Sequence, residues 1–274
     1  MNTRLQGIVV PTITPLNNDG SLDKPGLERL VDHLLQGGVS GIFLSGTTGE
    51  GPSLSYAIRR EMIQNVCRQT AGHIPVIVAA MDSSQAETLA LIEFAATRGA
   101  AAAAIAPPFY MALSEADILR YGKAVALESA LPVYLYNVPS PRLPRFSLQN
   151  LRELCSIPNV IGFKDSGGDI SFLRQAIEIF SSRPETSVFV GPEHLLLEAI
   201  RSGAVGGVSG GANIFPRLYM AMYRACNSHH WDLAARLQDH ILQFQRDFYH
   251  VGEEESGLIR GLKAAGSALN ICSP

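Results

Sequence analysis

Lys164 closes a short apolar run, in VIGFKDSGGD, just before a Gly/Ser/Asp turn. The chain has only four lysines, Lys24, Lys123, Lys164 and Lys263, and this one stands where its charge is hardest to hydrate. Side chains alternate along a strand, so Lys164 shares a face with Val160 and Gly162 while Asp165 points to the other side. An ordinary lysine, of pKa about 10.4, is neutral in roughly one molecule in 2,500 at pH 7. Desolvation lowers that pKa and enlarges the nucleophilic fraction, which is what imine-forming lysines require. Gly162 on the same face would leave room for a ligand. From position alone, a lysine snorkelling to solvent or paired with a carboxylate accounts for Lys164 equally simply.

Other chemistry-bearing residues lie at comparable places. Tyr136 ends PVYLYN, where a phenol could pass a proton to and from a carbinolamine at Lys164, or be a core tyrosine with a satisfied hydroxyl. In GTTGE, Gly46 and Gly49 let backbone amides approach an anion, and Thr47 and Thr48 add two hydroxyls. That makes a small nest suited to a carboxylate, although the same residues also make an ordinary tight turn. AVGGVSGGAN, residues 204 to 213, is a second glycine-rich loop, which reads either as a phosphate site or as close backbone packing.

The elements that must position these residues alternate. Short apolar runs begin near Gly7, Gly41, Pro75, Ala101, Pro132, Val160, Ser187 and Ala204, and helical periodicity fills the intervals. Leu27, Leu30, Val31, Leu34 and Leu35 form one stripe, stopped by Gly37-Gly38. Ser84 with Glu87 predicts a capping box, and Asp169 caps a helix whose face carries Leu173, Ile177 and Phe180. The run Ala100 to Ala104 favours helix by intrinsic propensity, but its place in the alternation assigns it to a strand. Eight repeats without a linker predict an α/β fold, a (β/α)8 TIM barrel followed by C-terminal helices, with an open doubly wound sheet as the alternative. Residues 1–213 would carry the barrel up to the loop after strand eight. Residues 214–274 would add the last barrel helix and a helical extension, within one structural unit. In such a barrel the active site gathers at the C-terminal strand ends, where SGTTGE, PPFY, YNVPS and KDSGGD all fall.

Composition narrows the classes. With 22 Lys+Arg against 25 Asp+Glu and no basic stripe, nucleic acid is not an expected partner. The apolar N-terminal run is short and broken by Pro11, so neither a signal sequence nor a membrane span is expected, and the protein reads as cytoplasmic. Cys67, Cys155, Cys226 and Cys272 are too scattered for a disulfide framework or a zinc site, and HExxH is absent, so no metal is assigned.

Taken together, GTTGE, YNVP and GFKDSGGD resemble the dihydrodipicolinate synthase/N-acetylneuraminate lyase family of Schiff-base aldolases, from about Gly7 to the end of the chain. The resemblance implies that Lys164 forms an imine with the keto carbon of pyruvate or a longer 2-keto acid, with Tyr136 as acid/base. It implies that Thr47 and Thr48, beside Gly46, hold the keto-acid carboxylate, that Val208 lines the pocket, and that no cofactor is needed. Tyr110, in PPFY, matches a tyrosine that reaches across a subunit interface to complete a relay of Tyr136, Thr47 and Tyr110. A homotetramer built as a dimer of dimers, or a homodimer, is the implied assembly.

Three departures shape the expected activity. The family's synthases begin the segment after YNVPS with an arginine that binds the second substrate. Here that position is Pro141, leaving Arg142 or Arg145 as substitutes. KDSGGD is more similar to members that cleave 4-hydroxy-2-oxoglutarate or 2-keto-3-deoxy sugar acids. The chain ends in ICSP, where relatives continue with another helical segment. The leading expectation is therefore an aldolase/lyase that releases pyruvate or a close keto acid and an aldehyde. The alternatives are condensation of pyruvate with aspartate semialdehyde, a sugar-acid dehydratase, a member that binds keto acids without turnover, and a phosphate-binding barrel enzyme.

Overall fold

The computed structural model describes residues 4–138, 140, 143–251 and 256–273. Eight parallel strands pair in chain order and close on themselves. They are β1 (Gly7–Pro11), β2 (Gly41–Leu44), β3 (Val76–Ala79), β4 (Ala102–Ile105), β5 (Val133–Asn137), β6 (Val160–Asp165), β7 (Ser187–Val190) and β8 (Gly206–Val208), which returns to β1. The intervening helices are α1 (Lys24–Gly37), α2 (Tyr56–Thr70), α3 (Gln85–Thr97), α4 (Glu115–Glu128), α5 (Leu148–Cys155), α6 (Ile170–Ser181) and α7 (Leu196–Arg201). After β8 come α8 (Pro216–Asn227), α9 (Trp231–Phe248) and α10 (Gly257–Ala268). The barrel is the predicted one, and α9 and α10 pack outside it, against α7, α8 and the turn Gly210–Asn213.

Local chemistry explains where the helices begin and end. A side-chain oxygen at the N-cap takes one of the free amides of the first turn. Ser55, Ser84, Ser114, Ser147 and Asp169 do this for α2 to α6. The capping box predicted at Ser84 is half formed. Ser84 Oγ accepts from Glu87 N, but Ser84 N donates at 2.9 Å to Asp82 Oδ1, so Glu87 is not needed in return. Gly38 adopts φ +72° and ends α1, as a left-handed C-terminal residue must. The α1 stripe of Leu27, Leu30, Val31 and Leu34 is fully buried, each side chain contributing about 1.5–3 kcal/mol, whereas Leu35 at its margin is half-buried.

Two cores result. One fills the layer between strands and helices. The other fills the barrel itself, with Val9, Phe43, Ile77, Ala79, Ala102, Ala104, Tyr134, Tyr136, Phe189 and Val208. Four aromatic rings from β2, β5 and β7 occupy most of that interior. This is why β4 tolerates only alanine on its inner face and forms a strand despite its helical propensity. Gly162 serves the same packing. A Cβ there would lie 2.6 Å from the Tyr134 ring, so the space expected for a ligand is filled by tyrosine.

Candidate active site

Parallel pairing of β5 with β6 sets Tyr136 opposite Lys164 and Asn137 opposite Asp165. Because directly paired residues face the same way, phenol and amine both project into the barrel mouth. Lys164 is 5 % exposed, with Nζ 4.1 Å from the Phe43 ring centroid and 4.0 Å from that of Tyr136. Ring faces favour an ammonium by about 0.5–2 kcal/mol. Burial outweighs them and lowers the Lys164 pKa from 10.5 to about 7, with no charged neighbour contributing. About half of the molecules then carry a neutral, nucleophilic amine at pH 7.

Tyr136 is fully buried, and its hydroxyl lies 3.1 Å from Thr47 Oγ1. Burial pushes its pKa up, and hydrogen bonds with Thr47 and Ser166 pull it partly back. A phenol so placed keeps its proton at neutral pH and can donate it to a leaving hydroxyl beside Lys164.

Thr47 and Thr48 sit in the turn after β2 and line the same cavity as Lys164, Tyr136, Ser166 and Val208, a space of about 1110 Å³. Gly51 N donates to Gly46 O at 3.0 Å, Glu50 N to Thr47 O at 3.0 Å, and Thr14 Oγ1 to Gly49 O at 2.7 Å. Gly46 lies behind this surface. A Cβ on it would come within 2.5 Å of the Phe43 ring, so glycine lets the turn settle on the ring that also flanks Lys164.

Tyr110, expected to serve a neighbouring subunit, is 84 % exposed in the single chain, as is Met111 beside it at 66 %, and the preceding Phe109 lines this chain's own cavity. Arg142, with Pro141, falls outside the described residues. Arg145 turns away from Lys164. It lines a separate cavity of about 50 Å³ with Asp165, Asn137 and Phe172, its guanidinium 5.7 Å from the Phe172 ring centroid. Asp165 faces that cavity, as strand alternation requires, and burial raises its pKa to about 6 against the pull of Gly167 N and Arg145. The glycine-rich loop after β8 is closed to phosphate at Gly211. Its amide donates at 2.6 Å to the buried Glu193 carboxylate, and a side chain there would collide with Tyr219.

Sequence reasoning missed Ser166, Glu193 and the C-terminal residues at the rim. Ser166 follows Lys164 by two and so continues its face, a signal that was present in KDSGGD. Glu193 accepts from Gly211 N, Gln245 Nε2 and Tyr249 OH, fastening the β7 end to the β8 loop and α9. Those partners are 18 to 56 residues away and leave no local pattern. Gln245, Tyr249, His194 and His250 complete the outer cavity wall.

A model of the dihydrodipicolinate synthetase family matches residues 4–270. The chain belongs to that family. It is 34% identical over 225 residues to a 4-hydroxy-tetrahydrodipicolinate synthase of Herminiimonas arsenicoxydans, covering 82% of this chain and 75% of the relative. A solved dihydrodipicolinate synthase from Bacteroides thetaiotaomicron superposes with TM-score 0.95 at 40% identity, over 100% of this chain and 92% of that one. YagE from E. coli K12, a prophage protein of the dihydrodipicolinic acid synthase family solved in complex with pyruvate, gives TM-score 0.89 at 28% identity, over 95% and 87%. As a member of the dihydrodipicolinate synthetase family, the protein is a lyase on a barrel scaffold. Among its described residues, no group of three or more His, Cys, Asp or Glu side chains is gathered to hold a metal ion. Among the same residues, no helix is long and apolar enough to cross a membrane.

Proposed function

We propose that the protein is a Schiff-base aldolase. It reversibly cleaves a 2-keto acid of the 4-hydroxy-2-oxoglutarate or 2-keto-3-deoxy sugar acid type to pyruvate, or a related keto acid, and an aldehyde. The observation that carries the reading is the buried Lys164 amine, with no ion-pair partner among the described residues, against Tyr136, whose hydroxyl meets Thr47.

Neutral Lys164 Nζ attacks the keto carbon while Thr47 and Thr48 hold the carboxylate. Tyr136 protonates the carbinolamine hydroxyl, which leaves as water and gives the iminium. The 4-hydroxyl then loses its proton to the Tyr136 phenolate, and the C3–C4 electron pair flows into the iminium. Aldehyde departs and an enamine remains. Protonation at C3 followed by hydrolysis releases pyruvate and restores the amine. Tyr110 of a neighbouring subunit completes the relay through Thr47, and its exposure in the single chain suits that role.

A second reading, condensation of pyruvate with aspartate semialdehyde, is supported by the activity named for the Herminiimonas and Bacteroides relatives. Against it stands Arg145, turned toward Asp165, so that among the described residues no arginine lines the cavity. Besides the carboxylates of Glu50 and Glu193, its polar lining includes Ser140, His194, Gln245 and Tyr249, groups that suit a hydroxylated aldehyde. Two assays test these readings. Treatment with pyruvate and borohydride should give one reduced adduct on Lys164, seen by intact mass and absent in Lys164→Ala. Adding aspartate semialdehyde or hydroxylated aldehydes as acceptors then separates them: preferred consumption of aspartate semialdehyde, lost in Arg142→Ala, establishes the synthase.

A further inference from the structure

We propose that Lys263, on α10, is a positioning residue for keto-acid binding: its charge contact with Glu50 keeps the Thr47-Thr48 turn in shape and keeps an acidic side chain from repelling the substrate. The proposal rests on the Schiff-base reading above and adds to it a residue about 215 positions from the turn, on a helix outside the barrel.

Lys263 Nζ lies 2.6 Å from Glu50 Oε1, and the two side chains are 14 % and 28 % exposed. Oε1 is buried and has no donor in hydrogen-bond geometry, so charge rather than a well-aligned hydrogen bond holds the pair. Glu50 closes the turn in a left-handed conformation, φ +58°, which an L residue adopts reluctantly. Its amide donates to Thr47 O, and Thr47 Oγ1 meets Tyr136. The side chain that anchors Glu50 therefore acts one hydrogen bond away from the carboxylate cradle and two from the catalytic phenol.

The second effect is electrostatic. Glu50 lines the same cavity as Thr48 and Lys164. A carboxylate in the wall of a site for an anionic keto acid opposes binding unless a cation balances it. Among the described residues, Lys263 is the cation in ion-pair contact with it. Removing only the lysine leaves a partly buried, unbalanced charge, whereas removing both partners does not.

The test measures the pyruvate concentration that half-saturates borohydride trapping, and KM and kcat for cleavage of a 4-hydroxy-2-keto acid. Lys263→Met should raise half-saturation and KM about tenfold while kcat changes less than about threefold. Lys263→Arg should stay within about twofold of the parent, and Glu50→Gln added to Lys263→Met should recover most of the loss. A half-saturation unchanged in Lys263→Met, with only the folded fraction reduced in melting, would overturn the proposal and leave the pair a structural tie. If the parent protein itself traps no pyruvate, the Schiff-base reading fails on its own. Hydrogen exchange over residues 45–51 then decides the anchoring role: faster exchange in Lys263→Met upholds it, and unchanged exchange rejects it.

Discussion

A lysine whose pKa is lowered by burial imposes a pH signature that separates it from a lysine held charged by a partner. With a pKa of about 7, the rate of pyruvate adduct formation should climb roughly tenfold per pH unit below neutrality and level off above it. A profile still rising at pH 9 would show an unperturbed amine. Stability carries the opposite imprint. The unfolded amine keeps its proton up to about 10.5 and the folded one gives it up near 7, so between those values the unfolded state binds more protons and stability rises with pH. Lys164→Met should therefore abolish the adduct yet stabilise the protein by about 4 kcal/mol at pH 7, an advantage that shrinks toward pH 10. Denaturant titration of both proteins at two pH values checks this. Tyr136→Phe removes the hydroxyl proposed as proton donor while keeping the ring over Lys164, and should lower kcat by about 10²–10⁴ with little change in melting temperature.

At the scale of elements, strand pairing does the positioning, and small residues decide what fits between the rings. Ala104→Leu would force a larger side chain into an interior already filled by Tyr134, Tyr136 and Phe189. A loss of about 1–3 kcal/mol in denaturant unfolding is the expected outcome. Asn137 binds Phe146 through both its carbonyl, at 2.9 Å, and its amide, at 3.0 Å, and so fixes the far end of the loop after β5. Asn137→Ala should cost about 2 kcal/mol and raise KM for the aldehyde more than for pyruvate.

Much of this arrangement is legible in the sequence because it is written in local periods. Apolar runs alternating with amphipathic stripes announce the barrel, and strand alternation alone separates Lys164 from Asp165. What escapes is of another kind. Gly162 looks like an opening for ligand because nothing nearby in sequence reveals the Tyr134 ring that fills it. Arg145 looks like a substitute anion binder until the path of its loop turns it toward Asp165. Glu193 and Glu50 acquire partners only when α9 and α10 fold back over the mouth, and contacts so distant in sequence leave no spacing to read.

For the whole molecule, the isolated chain presents Tyr110 and Met111 to solvent beside an otherwise well-lined cavity. If Tyr110 serves the site of a neighbour, two inactive variants should repair one another. Tyr110→Phe mixed with Lys164→Ala would generate hybrid assemblies in which the first supplies the lysine and the second the tyrosine. Activity should return to about a quarter of the parent value for randomly exchanged dimers with isologous contacts. Failure of the mixture to exceed its separate components, with exchange verified by native mass spectrometry, would place the tyrosine's function within its own chain.

The register that makes Tyr136 and Lys164 partners across β5 and β6 also bears on how the enzyme would fail on heating. Their spacing is maintained by consecutive rungs of one closed ladder. Local fraying has no free edge from which to begin there. On the Schiff-base reading, capacity to trap pyruvate and the native barrel should consequently disappear in a single transition, while the aldehyde selectivity proposed for the rim should erode at lower temperature. Warmed short of melting, such a protein would become indiscriminate before it became inert.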